Sequence, residues 1–191
     1  TQFKRQAIEN IRQAQETVLT ELKSDMDAMS MRLAQLINTN NNEVLAYAAE
    51  TDTADYNIRY QYEQKLQQSG NLLLEPIKDI ISVSFYMKDG RKTYFKNEIF
   101  RSTDEIREMD WYQNALEHRN AVCIGSYDTE KMNDLYKGGK KDLLILVFAL
   151  APDVTTDRSQ KIEMVVFYQS TDAADRIKEY NRNYLLGRNK L

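Results

Sequence analysis

Hydrophobic side chains recur at three- and four-residue steps along residues 2–37, a stretch without Gly or Pro. The apolar positions are Ile11, Val18, Leu22, Met26, Met29, Leu33 and Leu36 or Ile37. This spacing predicts one amphipathic helix of about ten turns. Since so long a helix exceeds what a small domain can cover, we expect part of it to project or to pair with a second copy. The Asn-rich residues 38–43 predict where it ends.

A second helical pattern occupies residues 43–69, where Ile58, Tyr62 and Leu66 share one face. Gly70 follows at the position of a C-terminal stop, because glycine readily adopts the left-handed conformation that ends many helices. The pattern therefore predicts one continuous second helix that ends at Gly70.

Hydrophobic and polar residues then alternate with a period of two from residue 80. The apolar set is Ile81, Val83, Phe85 and Met87, and the opposite set is Ser82, Ser84 and Tyr86. This alternation predicts a strand with one buried face. An Asp-Gly turn at residues 88–90 predicts a hairpin whose second arm is residues 91–96.

The remaining chain predicts one short helix, three strands and a closing helix. Ser102 and Glu105 have the spacing of a capping box, which predicts a helix from near Thr103 to about His118. The strand-like runs are residues 121–127, 142–151 and 161–169, and residues 170–187 form the closing helical pattern. Five strands joined mostly by hairpins predict an α+β fold with an antiparallel sheet and disfavour a parallel nucleotide-binding sheet. We place a domain boundary between a helical region, 1–78, and a sheet domain, 79–191.

Composition and charge restrict the classes of function. With 26 basic and 29 acidic residues, the formal net charge is -3, and the charges are scattered along the chain. We therefore expect no nucleic-acid partner. The apolar run from Leu143 to Ala151 is far shorter than the about 20 residues that cross a bilayer. Because the chain begins "TQFKRQ", without Met or a signal sequence, we expect it to be a piece of a longer protein.

Candidate catalytic groups are few. The chain has one Cys, Cys123, and one His, His118, which cannot form a zinc cluster. We interpret Cys123 as a structural residue of a strand and His118 as a cation near a helix end. The glycines of residues 137–142, "KGGKKD", lack the spacing of a phosphate-binding loop. We therefore expect no enzyme activity in this chain, no metal and no cofactor.

The order of elements, with the pieces "MKDG" at 87–90, "DWYQNA" at 110–115 and "GSYD" at 125–128, resembles the extracytoplasmic Cache sensor domains of bacteria. These are PAS-like sheets that lie between transmembrane segments of sensor histidine kinases and chemoreceptors. The resemblance covers roughly residues 1–185 and implies a PAS-like Cache domain at 79–191. Two departures are visible. Met109 stands where amino-acid-binding members carry an Arg, and the last strand, "KIEMVVFYQ", contains no Gly.

In that family the Trp-Tyr pair shapes a pocket on one face of the sheet. The resemblance thus implies a site between the sheet and residues 100–112. The candidate ligand-binding residues are Trp111 and Tyr112 as aromatic walls, Tyr127 and Asp128 as polar contacts, and Arg101 and Arg107 as substitutes for the missing Arg. An Arg would favour a carboxylate-bearing ligand, whereas Asp128 would favour one with an amine.

These observations predict an extracytoplasmic, non-enzymatic ligand-sensing domain of a bacterial membrane receptor. A two-component histidine kinase is the first expectation and a chemoreceptor is the alternative. The expected partners are a small molecule and a second copy of the chain, with membrane contact only through flanking segments. A different class of function, a structural or protein-interaction module that dimerises through its long helix, would need only the apolar stripe of that helix.

Overall fold

The computed structural model describes residues 2–38, 43–75, 77, 80–98, 104–128, 144–153 and 160–171. The chain divides into two compact units, one of residues 1–29 with 171–191 and the other of residues 30–170. The predicted boundary at residues 78 and 79 stays a prediction.

The long N-terminal helix is confirmed as α1, Gln2–Asn38. Its first part exposes large hydrophobic side chains, among them Ile8 and Leu19. Its last part, which belongs to the larger unit, buries Leu33, Leu36 and Ile37. The turn predicted in the Asn-rich stretch lies at residues 39–42, outside the described residues.

The single second helix predicted for residues 43–69 is wrong, because the structure has two helices there. These are α2, Glu43–Glu50, and α3, Tyr56–Leu74. The break follows from local polar chemistry at Asp55, whose carboxylate accepts hydrogen bonds from the backbone N–H groups of Asn57 and Ile58. A carboxylate that satisfies these otherwise unpaired donors starts a new helix at this point.

The expected stop at Gly70 is also wrong, since α3 continues to Leu74. Gly70 is buried inside the helix, and a Cβ atom there would lie 2.6 Å from Cζ of Phe95. The glycine therefore serves close packing between α3 and the sheet, which the sequence pattern cannot distinguish from a helix end.

Among the described residues, five strands form one sheet in the order β2-β1-β5-β4-β3, which confirms the predicted α+β fold. The strands are β1, Ile80–Met87; β2, Lys92–Lys96; β3, Cys123–Asp128; β4, Leu144–Leu150; and β5, Ile162–Thr171. The β1–β2, β1–β5 and β3–β4 pairs are antiparallel. Ser170 and Thr171 belong to β5 and not to a closing helix, while the rest of that predicted helix lies outside the described residues.

Strand β1 is buried on both faces, which corrects the prediction of one exposed face. Ser82, Ser84 and Tyr86 are all buried, as are Val83 and Phe85 on the other side. Helix α3 contacts the sheet through Phe95, on the face that carries Val83 and Phe85. The opposite face is covered by a second helical segment.

That segment consists of two short helices, α4, Asp104–Arg107, and α5, Asp110–Glu117, where one helix was predicted. Met109 is in an extended conformation, with φ -65° and ψ 142°, and separates them as the N-cap of α5. His118 is the C-cap of α5, and its ring Nδ1 lies 3.0 Å from the backbone oxygen of Asn114. This position agrees with the interpretation of His118 as a helix-end residue. Ser102 of the predicted capping box lies outside the described residues.

Candidate functional site

Trp111 and Tyr112 lie side by side at the start of α5, and both are buried against the sheet. The Tyr112 ring packs edge-on to Tyr86 of β1 with centroids 5.8 Å apart, and the Trp111 ring packs edge-on to Tyr168 of β5 at 6.3 Å. Edge-to-face contacts of this kind are favourable because the positive ring edge meets the negative ring face. Four aromatic side chains thus form one cluster between α5 and the sheet.

Gly125 of β3 allows Trp111 to lie directly on the sheet. A Cβ atom at Gly125 would lie 2.7 Å from both Cβ and Cδ1 of Trp111. Such a distance is far below van der Waals contact, so any other residue at this position would displace the tryptophan or the strand. The glycine of the "GSYD" piece therefore sets how closely α5 approaches β3.

Hydroxyl groups give the cluster a polar centre. The hydroxyls of Tyr86 and Tyr168 lie 2.6 Å apart, and those of Ser82 and Ser84 lie 3.3 Å apart. Burial raises the pKa of Tyr86 to about 12, because the phenolate would lose its hydration, although its hydrogen bonds partly oppose this shift. Tyr86 is therefore neutral over the physiological range.

The indole N–H of Trp111 is buried, and no acceptor for it lies among the described residues. The side chain is only 6% exposed, so bulk water does not readily supply that acceptor. A buried donor without a partner costs about 1–3 kcal/mol, which makes this atom unusual in a folded protein. The aromatic cluster therefore has an unused hydrogen-bond donor.

A charged group closes one end of the cluster. The Tyr112 hydroxyl donates a 2.7 Å hydrogen bond to Oε1 of Glu163, and Nη2 of Arg107 lies 3.5 Å from the same oxygen. Arg107 also donates to the backbone oxygen of Met87 at the end of β1. The pKa of Tyr112 is strongly raised, first by burial and then by its bond to Glu163 and the charge there. Tyr112 is therefore held as a neutral donor.

An irregularity in β5 brings Glu163 to this side of the sheet. Tyr86 pairs with Met164, but the next residue, Met87, pairs with Ile162, so one extra residue of β5 lies between the two pairs. A β-bulge of this kind redirects a side chain that strict alternation would place on the opposite face. The extra residue is Glu163, which explains how it reaches both Tyr112 and Arg107.

Of the six predicted site residues, the structure brings Trp111, Tyr112 and Arg107 together. Tyr127 and Asp128 pair with Ile145 and Leu144 at the end of β3, and their side chains lie outside what the structure describes. Arg101 is also outside the described residues. The assignment of all six as ligand-binding residues stays a prediction.

Three members of the cluster were not predicted, namely Tyr86, Tyr168 and Glu163. Tyr86 stands at a polar position of an alternating strand, a pattern that fits a buried hydroxyl as well as an exposed face. Tyr168 follows the continuous apolar run of residues 164–167, which shows no such alternation. Glu163 carried no comparable signal, because only the bulge places it beside α5.

A separate polar cluster lies at the turn between β1 and β2. The Asp52 carboxylate, whose side chain is 8% exposed, pairs with Arg91 and lies 3.4 Å from Nζ of Lys161. Hydrogen bonds from Arg91 lower the pKa of Asp89 in the same turn. This cluster connects the segment between α2 and α3 to the sheet.

Surface cavities of about 290 and 390 Å³ flank Asp52, and one of about 620 Å³ lies between the end of α3 and Lys96. None of these three cavities is lined by Trp111 or Tyr112. Across the described residues there is no cluster of side chains suited to hold a metal ion. The pKa of the Cys123 thiol is raised by burial, which disfavours the reactive thiolate.

The fold is similar to that of solved sensory domains of a bacterial chemoreceptor. The chain superimposes on the sensory domain of the Campylobacter jejuni chemoreceptor Tlp3 (CcmL) with a TM-score of 0.52 and 12% identity, over 93% of this chain and 62% of that one. It superimposes on the Tlp3 ligand-binding domain in complex with L-valine with a TM-score of 0.53 and 14% identity, over 91% of this chain and 62% of that one. These likenesses confirm the predicted Cache-like fold. At 62% coverage of each, the chain spans less than two thirds of the length of those domains.

No protein-family model matches the sequence, and no curated protein matches it. In the parts of the chain that the structure describes, no helix has both the length and the apolarity required of a membrane span.

Proposed function

We propose that this chain is the ligand-sensing domain of a bacterial membrane receptor, with its ligand site in the aromatic cluster of α5, β1 and β5. The observation that carries the proposal is the buried indole N–H of Trp111 without an acceptor. A ligand oxygen would remove the cost of this unpaired donor, and the surrounding rings would supply the apolar contact typical of small-molecule sites. The domain itself would be non-catalytic, and its output would come from flanking segments of the receptor.

The size of the ligand follows from the site and the fold together. Helix α5 lies close enough to the sheet for four rings to interact, so an entering molecule must be small. The Tlp3 domain with the same fold was crystallised with L-valine. We therefore propose a ligand of about the size of a free amino acid for this chain. Amino-acid-binding members of the Cache family carry an Arg at the position of Met109. In this chain Met109 packs against the cluster and supplies an apolar contact.

Trp111 makes the proposal directly testable, because it is the only tryptophan of the chain. Titrations with amino acids, their amides, small amines, carboxylates and sugars should change its fluorescence if a compound enters the cluster. Binding should also raise the melting temperature by mass action. Trp111→Phe, which keeps an aromatic ring but removes the N–H, should weaken binding, as measured by calorimetry.

A matched control is Tyr94→Phe, because Tyr94 is exposed on the edge strand β2. This change should leave the affinity unaltered. A compound that stabilises the wild type and Trp111→Phe equally would place the ligand elsewhere. If the broad screen gives neither a fluorescence response nor a thermal shift, the ligand-sensing proposal is wrong.

The sequence on either side of the chain would identify the type of receptor. We propose a histidine kinase first and a chemoreceptor as the alternative. The fold shared with Tlp3 supports the chemoreceptor. The full reading frame should contain a transmembrane segment on each side of the domain. The downstream sequence should then encode either a kinase or a chemoreceptor signalling domain. A reading frame without any transmembrane segment would contradict the extracytoplasmic location.

A further inference from the structure

We infer that Glu163 determines the charge of the ligand that the aromatic cluster accepts, selecting an uncharged hydrogen-bond acceptor over a carboxylate. This inference rests on the proposed ligand-sensing function. Its basis is the ion pair between Glu163 and Arg107 beside Tyr112.

The cation of Arg107 already has partners within the protein. Its Nη2 donates to the backbone oxygen of Met87 and lies 3.5 Å from Oε1 of Glu163. The two side chains are only 27% and 20% exposed, so solvent screens their charges incompletely. Arg107 and Glu163 therefore present the cluster with a pair whose net charge is zero.

Two buried N–H groups of these side chains remain available as hydrogen-bond donors. Within the described residues, Nε of Arg107 and Nε1 of Trp111 are buried and have no acceptor. The hydroxyl hydrogen of Tyr112 is used by Glu163. The site therefore offers N–H donors to a ligand oxygen, and an acceptor bound there would satisfy them.

A carboxylate and a carboxamide have nearly the same shape but differ by one charge. A carboxylate would approach these donors against the negative charge of Glu163, which cancels most of its attraction to Arg107. A carboxamide oxygen would accept the same hydrogen bonds without that repulsion. The ligand class that fits is thus a small apolar molecule with an amide, carbonyl or hydroxyl oxygen.

Isovaleramide and isovalerate form a suitable pair of probes, since they share an aliphatic body and differ by one charge. Their binding is followed through Trp111 fluorescence and by calorimetry. The wild type should bind isovaleramide about tenfold more tightly than isovalerate, the size expected for one unit charge at a partly buried site. Glu163→Gln should bind isovalerate about tenfold more tightly than the wild type does, with little change for isovaleramide. Glutamine keeps an oxygen that can accept from the Tyr112 hydroxyl.

A matched control is Glu108→Gln, which removes the same charge from an exposed position between α4 and α5. This variant should retain the wild-type preference, because its charge is screened by water. Arg107→Gln provides a second test in the opposite direction, since it leaves Glu163 without its cation. It should weaken isovalerate binding below the wild-type value even if Glu163→Gln folds poorly.

The possible outcomes separate the inference from the proposed function. If the probes bind but neither Glu163→Gln nor Arg107→Gln changes the preference for isovaleramide, the inference is wrong and the sensing function stands. The same holds if Glu108→Gln changes that preference as much as Glu163→Gln does. If neither probe binds any of these proteins, the inference is wrong. The proposed function then depends on the broader screen.

Discussion

Trp111 is held by contacts on three sides. Gly125 lies beneath it, Tyr112 is its neighbour in α5, and Tyr168 packs edge-on to the indole. A side chain confined in this way reports small changes in its surroundings. Single substitutions near it should therefore have effects that fluorescence and stability measurements can separate.

Gly125→Ala should destabilise the protein by about 1–3 kcal/mol, the usual cost of forcing an extra methyl group into a packed core. Alanine otherwise suits a strand better than glycine does. Destabilisation would thus identify the 2.7 Å approach to Trp111 as the dominant effect. Urea unfolding measures the change, and the fluorescence maximum of Trp111 should shift in the folded variant. Ser126→Ala, at the exposed neighbouring position, should change neither.

Tyr86 should make stability fall at alkaline pH. Its pKa is raised from 10.0 to about 12 in the folded protein. Below about pH 10 both folded and unfolded states are protonated and the contribution is complete. Between pH 10 and 12 only the unfolded state loses its proton, so the free energy of unfolding drops by up to about 1.4 kcal/mol per pH unit.

The measurement is chemical denaturation of wild type and Tyr86→Phe at several pH values from 8 to 11. The variant loses one hydrogen bond at every pH, but its stability should decline less steeply above pH 10. Parallel curves for the two proteins over that range would contradict the raised pKa.

The start of helix α3 is determined by a cap and not by the spacing of its apolar residues. The hydrogen bonds from Asn57 and Ile58 to the Asp55 carboxylate start the helix, and Gly70 lets its middle approach Phe95. The cap is local in sequence, whereas the glycine acts through a contact with a distant strand. The cap determines where α3 begins, while the glycine determines how deeply α3 packs.

Asp55→Ala should destabilise the larger unit by about 1 kcal/mol, because two backbone donors at the start of α3 lose their acceptor. Asp55→Asn, which keeps an oxygen acceptor at the cap, should recover most of that loss. Thermal unfolding followed by circular dichroism compares the two variants. Equal destabilisation by both would show that the negative charge, and not the cap, stabilises this end of the helix.

The whole molecule should self-associate through the first part of α1. Ile8 and Leu19 are 63% and 58% exposed there. They are eleven residues apart, or about three turns, and so lie on nearly the same side of the helix. Exposed apolar side chains in register favour pairing with a second copy. The combined change Ile8→Glu and Leu19→Glu should lower the dimer fraction seen in sedimentation.

Gln13→Glu adds a charge at an exposed polar position of the same helix and serves as the control. It should leave the dimer fraction almost unchanged. A wild-type protein that sediments as a monomer at millimolar concentration would contradict the predicted pairing.

Much of the fold was determined by patterns that are local in sequence. The spacing of apolar residues predicted α1, and the alternation from residue 80 with its Asp-Gly turn predicted β1 and β2. These patterns succeed because helix and strand periods follow from backbone geometry alone. The Trp-Tyr pair could also be singled out, because the piece of sequence that contains it resembles a known family. Arg107 was predicted as one of two substitutes for the Arg that amino-acid-binding members of that family carry.

Contacts between distant segments decided the rest. The sequence pattern of Gly70 is that of a helix end, but in the structure Phe95 packs against it. Tyr86 belongs to the polar set of its strand, but Tyr168 and Tyr112 pack beside it. Glu163 reaches α5 only because a bulge shifts β5 against β1. A residue's burial and partners depend on which strands become neighbours. The order β2-β1-β5-β4-β3 arises from packing across the whole chain and not from the period of any single segment.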